Sequence, residues 1–208
     1  QFSCLPSVFC YVVDRKAPIN AARELIAAVQ SRINDMPEDN RPKLYFAGES
    51  LGCYGIVENY RDLEELLAAC DGAVFTGPPR MTAFTRRLAR SRDRGSLERL
   101  PLIDAGQHVR FASTPEHMEH DAFGNEYQRW QRPRVVFGQH ASDAIVWWDR
   151  RLIFMRPDWI QEPTPRTLYA DTFRRLPWVP FITFWQVALD QLNSLNVPGG
   201  HGHNYFEE

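Results

Sequence analysis

A short apolar segment that leads directly into a G-x-S-x-G motif constrains the fold of this chain more than any other feature. Residues 44–47 have the aromatic and apolar character of a buried strand, and residues 48–52 form the motif with Ser50 at its centre. A helix-compatible stretch follows the motif. A strand, this motif and a helix in that order indicate a nucleophile elbow, a sharp turn that presents an exposed serine hydroxyl.

The two glycines of the motif have a predicted steric role. The turn is so tight that the serine takes a strained backbone conformation, and a side chain at Gly48 or Gly52 is expected to collide with the neighbouring strand or helix. The strain lifts the Ser50 hydroxyl clear of the sheet, and the positive end of the next helix points towards it. The alternative interpretation is an ordinary strand-to-helix turn, because G-x-S-x-G also occurs by chance.

Length and composition predict one globular domain. At 208 residues the chain can bury one sizeable core, and its 44% hydrophobic and 24% charged residues are typical of a globular protein. The 24 basic and 26 acidic residues nearly balance, so the net charge indicates neither a nucleic acid nor an anionic membrane surface as partner. The sequence has no signal peptide and no run of about 18 apolar residues that would span a membrane.

Segments with the pattern of strands alternate with segments that have the pattern of helices. Short strands that are apolar on both faces are typical of a parallel sheet covered by helices. The predicted fold class is therefore α/β, with a mainly parallel sheet flanked by helices. The predicted helices cover residues 18–33, 63–69 and 181–192 and begin again at residue 51, and the predicted strands cover residues 43–47, 72–76, 134–138 and the vicinity of 109–111.

Asp143 is the predicted acidic partner of the serine. A serine hydroxyl needs a base to take its proton, and that base needs an acid to orient it. In hydrolases with this elbow, the acid follows a late strand and precedes the histidine in chain order. Asp143 lies shortly after the strand at 134–138, whereas Asp149 and Asp104 are weaker candidates. The alternative role for Asp143 is a loop cap bonded to nearby backbone amides.

Two histidines near the end of the chain, His201 and His203, are the candidates for the base. The glycines around His201 are typical of the histidine loop of many esterases, which favours His201. A polar residue and an aromatic residue follow His203, as they often follow the catalytic base in hydrolases. The sequence leaves the choice open, with a small preference for His203.

The backbone N–H of Leu51, directly after the serine, is the predicted donor to the oxyanion that forms during acyl transfer. A second donor should come from a loop after an early strand, and the sequence contains no recognisable loop of this kind. The remaining histidines lack metal-ligand spacing, and so do the cysteines at positions 4, 10, 53 and 70. We therefore expect no metal and no cofactor.

Residues of about 80–132 are predicted to contain a lid or insertion. Arginines cluster between positions 86 and 94, where they could meet an anionic headgroup or a substrate carboxylate. A solvated helix face is the alternative explanation for this cluster. The tryptophans of the last third are expected in the core, with an acyl or lipid pocket as the alternative.

A series of motifs resembles a family of bacterial α/β-hydrolases whose members join a membrane-spanning N-terminal region to a C-terminal hydrolase-like domain. The resemblance covers nearly the whole chain, and the motifs occur in the same order. They lie at residues 41–45, 48–52, 77–79, 109–112, 139–143, 146–148, 156–159, 183–186 and 200–203. One departure is Cys53-Tyr54, where a serine and an aromatic residue are expected, and it leaves the predicted catalytic residues intact.

The resemblance implies an α/β-hydrolase fold in which residues 1–208 form the C-terminal part of a single domain that lacks its first strands. In the family, the upstream strands include the loop expected to supply the second oxyanion donor, so an upstream part of the same domain is an expected partner. The membrane link implies a membrane-associated full-length protein, with the hydrolase domain favoured on the extracytoplasmic side.

Together these features predict a serine hydrolase that cleaves a carboxylic ester through an acyl-enzyme. The membrane link of the resembling family points to a lipid or lipid-linked ester, for example an aminoacylated lipid, and a small-molecule ester remains open. Two alternatives use the same fold. One is a non-catalytic interaction module of a membrane protein, and the other is an acyltransferase that passes the acyl group to an alcohol other than water.

Overall fold

A four-stranded parallel sheet forms the centre of the computed structural model, which describes residues 13–163 and 177–205. The strands are β1 (Tyr45–Glu49), β2 (Gly72–Thr76), β3 (Val109–Ala112) and β4 (Arg134–Gly138). The helices are α1 (Lys16–Asn34), α2 (Leu51–Val57), α3 (Leu63–Ala69), α4 (Ala83–Arg90), α5 (Ala144–Trp147), α6 (Asp158–Gln161) and α7 (Ile182–Asp190). The predicted α/β class is confirmed.

The strand order β1-β2-β4-β3 brings the ends of three strands into register at one edge of the sheet. Glu49 pairs with Thr76, and Thr76 pairs with Gly138, so β1, β2 and β4 end side by side. The loops that begin at Ser50, Gly77 and Gln139 therefore start next to one another. In open parallel sheets, the crevice at the carboxyl ends of the strands is where functional groups collect.

Phenylalanines from three strands form the core on one face of the sheet. The rings of Phe75 and Phe111 lie 5.3 and 5.0 Å from the ring of Phe137, and Phe84 of α4 packs against the same ring. All four side chains are almost completely buried, which makes this the main apolar cluster of the described residues. The opposite face is less covered by the described residues, since Val74 is 52% exposed.

Two tryptophans form a second core beyond β4. The rings of Trp147 and Trp159 are 5.5 Å apart, and both side chains are buried together with Leu152. The expectation of core packing is confirmed for these two tryptophans. Trp185 on α7 is instead 61% exposed.

The region of about 80–132 contributes directly to the sheet and its core. Its α4 buries Phe84 and Leu88, and all four residues of β3 are buried at the edge of the sheet. The strand predicted near 109–111 is therefore confirmed. The lid assignment for the remainder of this region stays a prediction.

Strand β1 begins two residues later than predicted. The backbone N–H of Leu44 donates to the Asp71 carboxylate, and the N–H of Asp71 donates to the Leu44 carbonyl. These bonds hold residue 44 against the loop before β2, so regular pairing starts at Tyr45. Among the described residues, none of the helices has both the length and the hydropathy needed to cross a bilayer.

Candidate active site

Ser50 lies between β1 and α2 in a backbone conformation that non-glycine residues rarely adopt. Its φ and ψ angles are 51° and −113°. The Ser50 N–H donates a 2.8 Å hydrogen bond to the Thr76 carbonyl, which fastens the turn to the end of β2. Strained residues of this kind persist where the surrounding structure holds them, and they cluster at functional sites.

The two motif glycines differ in their surroundings. A Cβ atom at Gly48 would lie 2.8 Å from the backbone nitrogen of Cys53, so only glycine fits where β1 passes under the start of α2. A Cβ at Gly52 would have no heavy atom within 4 Å among the described residues. The predicted collision is therefore confirmed at Gly48 and wrong at Gly52, which faces open space on the first turn of α2.

Asp143 is completely buried at the end of the loop after β4. Its Oδ1 accepts a 2.9 Å hydrogen bond from the N–H of Ile145, so the side chain caps the start of α5. Its Oδ2 lies 2.6 Å from Nδ1 of His203. The capping role and the contact to a histidine are thus both present, each made by a different oxygen of one carboxylate.

The structure joins His203, and not His201, to Asp143. Because a carboxylate only accepts hydrogen bonds, Nδ1 of His203 carries the shared hydrogen and Nε2 of the neutral ring is left as an acceptor. His203 is 4% exposed, and its buried Nε2 has no hydrogen-bond partner among the described residues. Nδ1 of His201 instead lies 3.0 Å from the Gly199 carbonyl.

The ring of His203 lies over the end of β2, beside the elbow. A Cβ atom at Gly77 would lie 2.5 Å from Cε1 of His203, so the imidazole packs directly on the glycine backbone. Gly77 follows Thr76, whose carbonyl accepts the N–H of Ser50. The serine and the imidazole thus occupy neighbouring strand ends, although no hydrogen bond joins the Ser50 hydroxyl to Nε2 of His203 in this structure.

Tyr205 completes this cluster and was not singled out from the sequence. Its hydroxyl donates a 2.9 Å hydrogen bond to Oδ2 of Asp143 and accepts a 3.1 Å bond from the N–H of His140. The Tyr205 ring stacks on His140 at 4.2 Å and lies nearly perpendicular to the ring of His203, with the ring centres 5.6 Å apart. An aromatic residue two positions after His203 was the only indication of Tyr205 in the sequence. It did not predict the hydrogen bonds of Tyr205 to Asp143 and His140.

Further hydrogen bonds join the loop of Asp143 to the loop of His203. Nδ1 of His140 lies 2.9 Å from the Gly202 carbonyl, and the N–H of Gly202 donates to the Ser142 hydroxyl at 2.8 Å. The N–H of His203 donates to the Ser194 carbonyl at 2.7 Å. The two contacts of Gly202 hold loops that are distant in sequence at a fixed separation, as a preorganised site requires.

The other candidate groups have different environments. Asp149 is held by Arg151 at 2.7 Å, and Asp104 lies in a turn with a φ of 46°. Leu51 is the first residue of α2, so its N–H belongs to the first-turn amides that have no intrahelical acceptor. Within residues 13–163 and 177–205, no group of three or more His, Cys, Asp or Glu side chains is arranged to hold a metal ion.

Comparison with known proteins places the chain in a family. The sequence model of the alpha/beta-hydrolase family matches residues 1–208, and the chain therefore belongs to that family. No curated protein and no solved structure matches it.

Proposed function

We propose that this member of the alpha/beta-hydrolase family is a serine hydrolase that cleaves a carboxylic ester through an acyl-enzyme. One observation carries the proposal. The Asp143–His203 pair orients an imidazole whose buried Nε2 has no partner among the described residues, and this imidazole packs on Gly77, next to the strand end to which the strained Ser50 is hydrogen-bonded. This combination of nucleophile, base and acid is what acyl transfer needs at neutral pH.

In the proposed first step, Ser50 attacks the ester carbonyl while Nε2 of His203 takes the hydroxyl proton. The alcohol leaves with that proton, and Ser50 retains the acyl group as an ester. Water then attacks this ester, again giving its proton to Nε2, and the acid leaves as Ser50 is regenerated. If another alcohol takes the place of water in the second step, the product is a new ester, so product analysis distinguishes hydrolysis from acyl transfer.

Asp143 has an orienting role in this mechanism. Its hydrogen bond to Nδ1 fixes the tautomer in which Nε2 is free to accept a proton, and its negative charge stabilises the imidazolium that forms. Tyr205 and the N–H of Ile145 bind the same carboxylate, which keeps it in place without solvent.

The N–H of Leu51 is assigned as a hydrogen-bond donor to the oxyanion, because Leu51 is the first residue of α2 and follows the nucleophile directly. The elbow brings this amide close to the carbonyl that Ser50 attacks. The second donor is not assigned to any described residue.

A lipid or lipid-linked ester and a membrane-associated, extracytoplasmic location extend the proposal. They rest on the resemblance of the sequence motifs to hydrolases that follow a membrane-spanning region. Neither the reaction type nor the roles of the site residues depend on them.

A second candidate is a non-catalytic interaction module with a hydrolase fold. It is favoured by the missing hydrogen bond between Ser50 and His203. Catalytic hydrogen bonds are often long in ligand-free structures and shorten when substrate binds, so the missing bond does not decide between the two functions.

An ester-hydrolysis assay separates the candidates. The full-length protein is incubated with p-nitrophenyl esters of increasing acyl length, beside Ser50→Ala and the matched control Ser31→Ala, whose serine is exposed on α1. The proposal predicts turnover by the unaltered protein and by Ser31→Ala, with loss in Ser50→Ala. Equal rates in all three proteins, or no turnover of any ester by a folded protein, would leave the interaction module as the better account.

A further inference from the structure

A pocket with a volume of about 210 Å³ lies between α4 and the segment of residues 149–159. Its wall is rich in guanidinium groups, which are planar, permanently charged and suited to binding oxyanions through two parallel hydrogen bonds. The arginines of the wall are Arg80, Arg86, Arg90, Arg92, Arg151 and Arg156.

Arg151 is one of three wall arginines that already hold a carboxylate. It contacts Asp149 through hydrogen bonds of 2.7 and 3.1 Å. Burial alone would raise the pKa of Asp149, but its hydrogen bonds to Arg151 outweigh burial and lower that pKa. The Asp149 carboxylate is therefore ionised at neutral pH and compensates the Arg151 charge.

Arg80 and Arg92 are the other paired arginines of the wall. Arg80 forms an ion pair with Glu98, and both side chains are largely buried. Arg92 donates to Asp158 at 3.0 Å and lies 3.7 Å from Glu162. Each carboxylate that faces the pocket in the described residues thus has an arginine of its own.

Three arginines of the wall, Arg86, Arg90 and Arg156, have no ion-pair partner within the part of the chain that the structure describes. Arg86 is half-buried, so its charge is partly removed from water without a compensating carboxylate. Arg86 and Arg90 are four residues apart on α4 and therefore project from the same side of the helix. Among the described residues, the wall of the pocket therefore retains an excess of positive charge after its ion pairs are counted.

We propose that this pocket binds an anionic oxygen group, a carboxylate or a phosphate, that is part of the ester substrate. The inference rests on the proposed hydrolase function and names a class of substrate for it. Arg86 and Arg90 supply the unpaired hydrogen-bond donors from one side, and the exposed Arg156 adds a third positive charge to the wall.

The pocket is connected to the candidate active site by direct contacts. Trp147 donates from its indole nitrogen to the His140 carbonyl at 2.9 Å, and the guanidinium of Arg80 lies 6.0 Å from the centre of the same indole. The N–H of Arg80 also donates to the Ile145 carbonyl at 3.1 Å, two residues beyond Asp143. These contacts place the wall of the pocket against the loop that carries Asp143.

Arg87 provides a matched control on the same helix. It carries the same charge, but it donates to the Tyr60 carbonyl at 3.3 Å and does not line the pocket. Arg87 and Arg90 both lie in the last turn of α4, where any cation is favoured by the helix dipole. Adding Arg90→Gln alone to the experiments below, beside Arg87→Gln, therefore separates a role in binding from a general contribution of charge to the helix.

The first experiment measures anion binding without turnover. The Ser50→Ala protein is titrated with inorganic phosphate and with succinate by calorimetry, and the titrations are repeated after adding Arg86→Gln with Arg90→Gln, or Arg87→Gln. The proposal predicts binding of at least one anion, with an affinity reduced about tenfold or more by the pocket substitutions, since each charge-assisted hydrogen bond contributes about that factor. An unchanged affinity, or an equal loss in Arg87→Gln, would overturn it.

The second experiment tests whether the anion belongs to the substrate. The p-nitrophenyl monoesters of dicarboxylic acids of increasing length are compared with their methyl-capped, neutral counterparts. The proposal predicts that kcat/KM is about tenfold higher for the charged ester at one optimal length, and that Arg86→Gln with Arg90→Gln removes this preference while Arg87→Gln retains it.

The kinetic results also separate this inference from the proposed function. Hydrolysis of the neutral esters without any preference for the charged ones would overturn the inference and leave the hydrolase standing. Tight phosphate binding that leaves the charged ester unfavoured would assign the pocket to a free anion, which also overturns it. A protein that hydrolyses none of the esters would remove the proposed function itself.

Discussion

The Tyr205 hydroxyl and Nδ1 of His203 meet the same oxygen of Asp143, at 2.9 and 2.6 Å. A fully buried carboxylate is costly unless it is hydrogen-bonded, and here two side chains and the start of α5 satisfy it. Tyr205 therefore positions the acid, which in turn positions the imidazole. This relationship predicts that the tyrosine hydroxyl affects activity without contacting the substrate.

Replacing Tyr205 by phenylalanine tests this positioning role. The ring stacking on His140 is retained, but Asp143 loses one donor, which corresponds to about 1–2 kcal/mol. We expect kcat/KM for an ester to fall by about tenfold, and the melting temperature to fall by a few degrees. Tyr45→Phe, at an exposed tyrosine of β1, is the matched control and should change neither quantity. Equal effects of the two substitutions would contradict the role assigned to Tyr205.

Gly77→Ala is expected to displace the imidazole of His203. The new methyl group would lie 2.5 Å from the ring, and alanine is also strained at the φ of 56° observed there. Gly124→Ala controls for the backbone strain, because its φ is 83° and no described heavy atom lies within 4 Å of the added Cβ. Gly124→Ala should lose about 1 kcal/mol of stability in urea unfolding, and Gly77→Ala should lose more because its methyl group also collides with the buried ring. Only Gly77→Ala should also lose most of the proposed esterase activity.

The two motif glycines should respond oppositely to alanine. At Gly48 the added carbon would overlap backbone atoms of α2, so Gly48→Ala should cost about 2 kcal/mol or more of unfolding free energy. At Gly52 the carbon enters open space on a helix, so Gly52→Ala should stabilise the fold by about 0.5–1 kcal/mol. Urea unfolding measures both values, and equal destabilisation by the two alanines would show that the elbow is packed differently.

His117 should make stability depend on pH. Burial lowers its pKa below the ordinary 6.5, and Glu116 and Asp121 oppose this effect more weakly. The unfolded chain therefore binds more protons at this residue, so the stabilising contribution of the neutral ring is complete above pH 6.5 and is lost as pH falls towards the lower pKa of the folded state. Urea unfolding at pH 7.5 and 5.5 should show a smaller loss of stability for His117→Asn than for the unaltered protein. An identical loss would assign the pH dependence to other groups.

Local sequence patterns predicted most of the sheet and its helices because the determining interactions are short in range. Helix α3 and strands β2 and β4 have the predicted boundaries, since apolar periodicity and turn residues act within a few positions. The start of β1 was wrong by two residues because a bond to Asp71, distant in sequence, holds Leu44. In the sheet, β4 lies between β2 and β3. This order depends on contacts between residues distant in sequence, which hydrophobic periodicity does not predict.

Chain order also identified the groups of the candidate site, but their contacts depend on how distant loops meet. Sequence alone favoured His203 only slightly over His201 in the same glycine-rich loop, and the distances to Asp143 in the structure join only His203 to it. Tyr205 and Gly77 matter because they pack on that imidazole. The identity of these two residues in the sequence does not indicate that packing. The arginine cluster between positions 86 and 94 could be recognised in the sequence. Which arginines of the pocket wall form ion pairs could be determined only from the structure.

Intact-mass spectrometry after treatment with a fluorophosphonate tests whether Ser50 is an activated nucleophile. This reagent modifies a serine only when a neighbouring base activates it. We expect one adduct on the full-length protein, no adduct on Ser50→Ala, and a labelling rate that falls about a thousandfold or more in His203→Ala but little in His201→Ala. An unlabelled, folded protein, or an adduct that persists in Ser50→Ala, would contradict the assignment of Ser50 as an activated nucleophile.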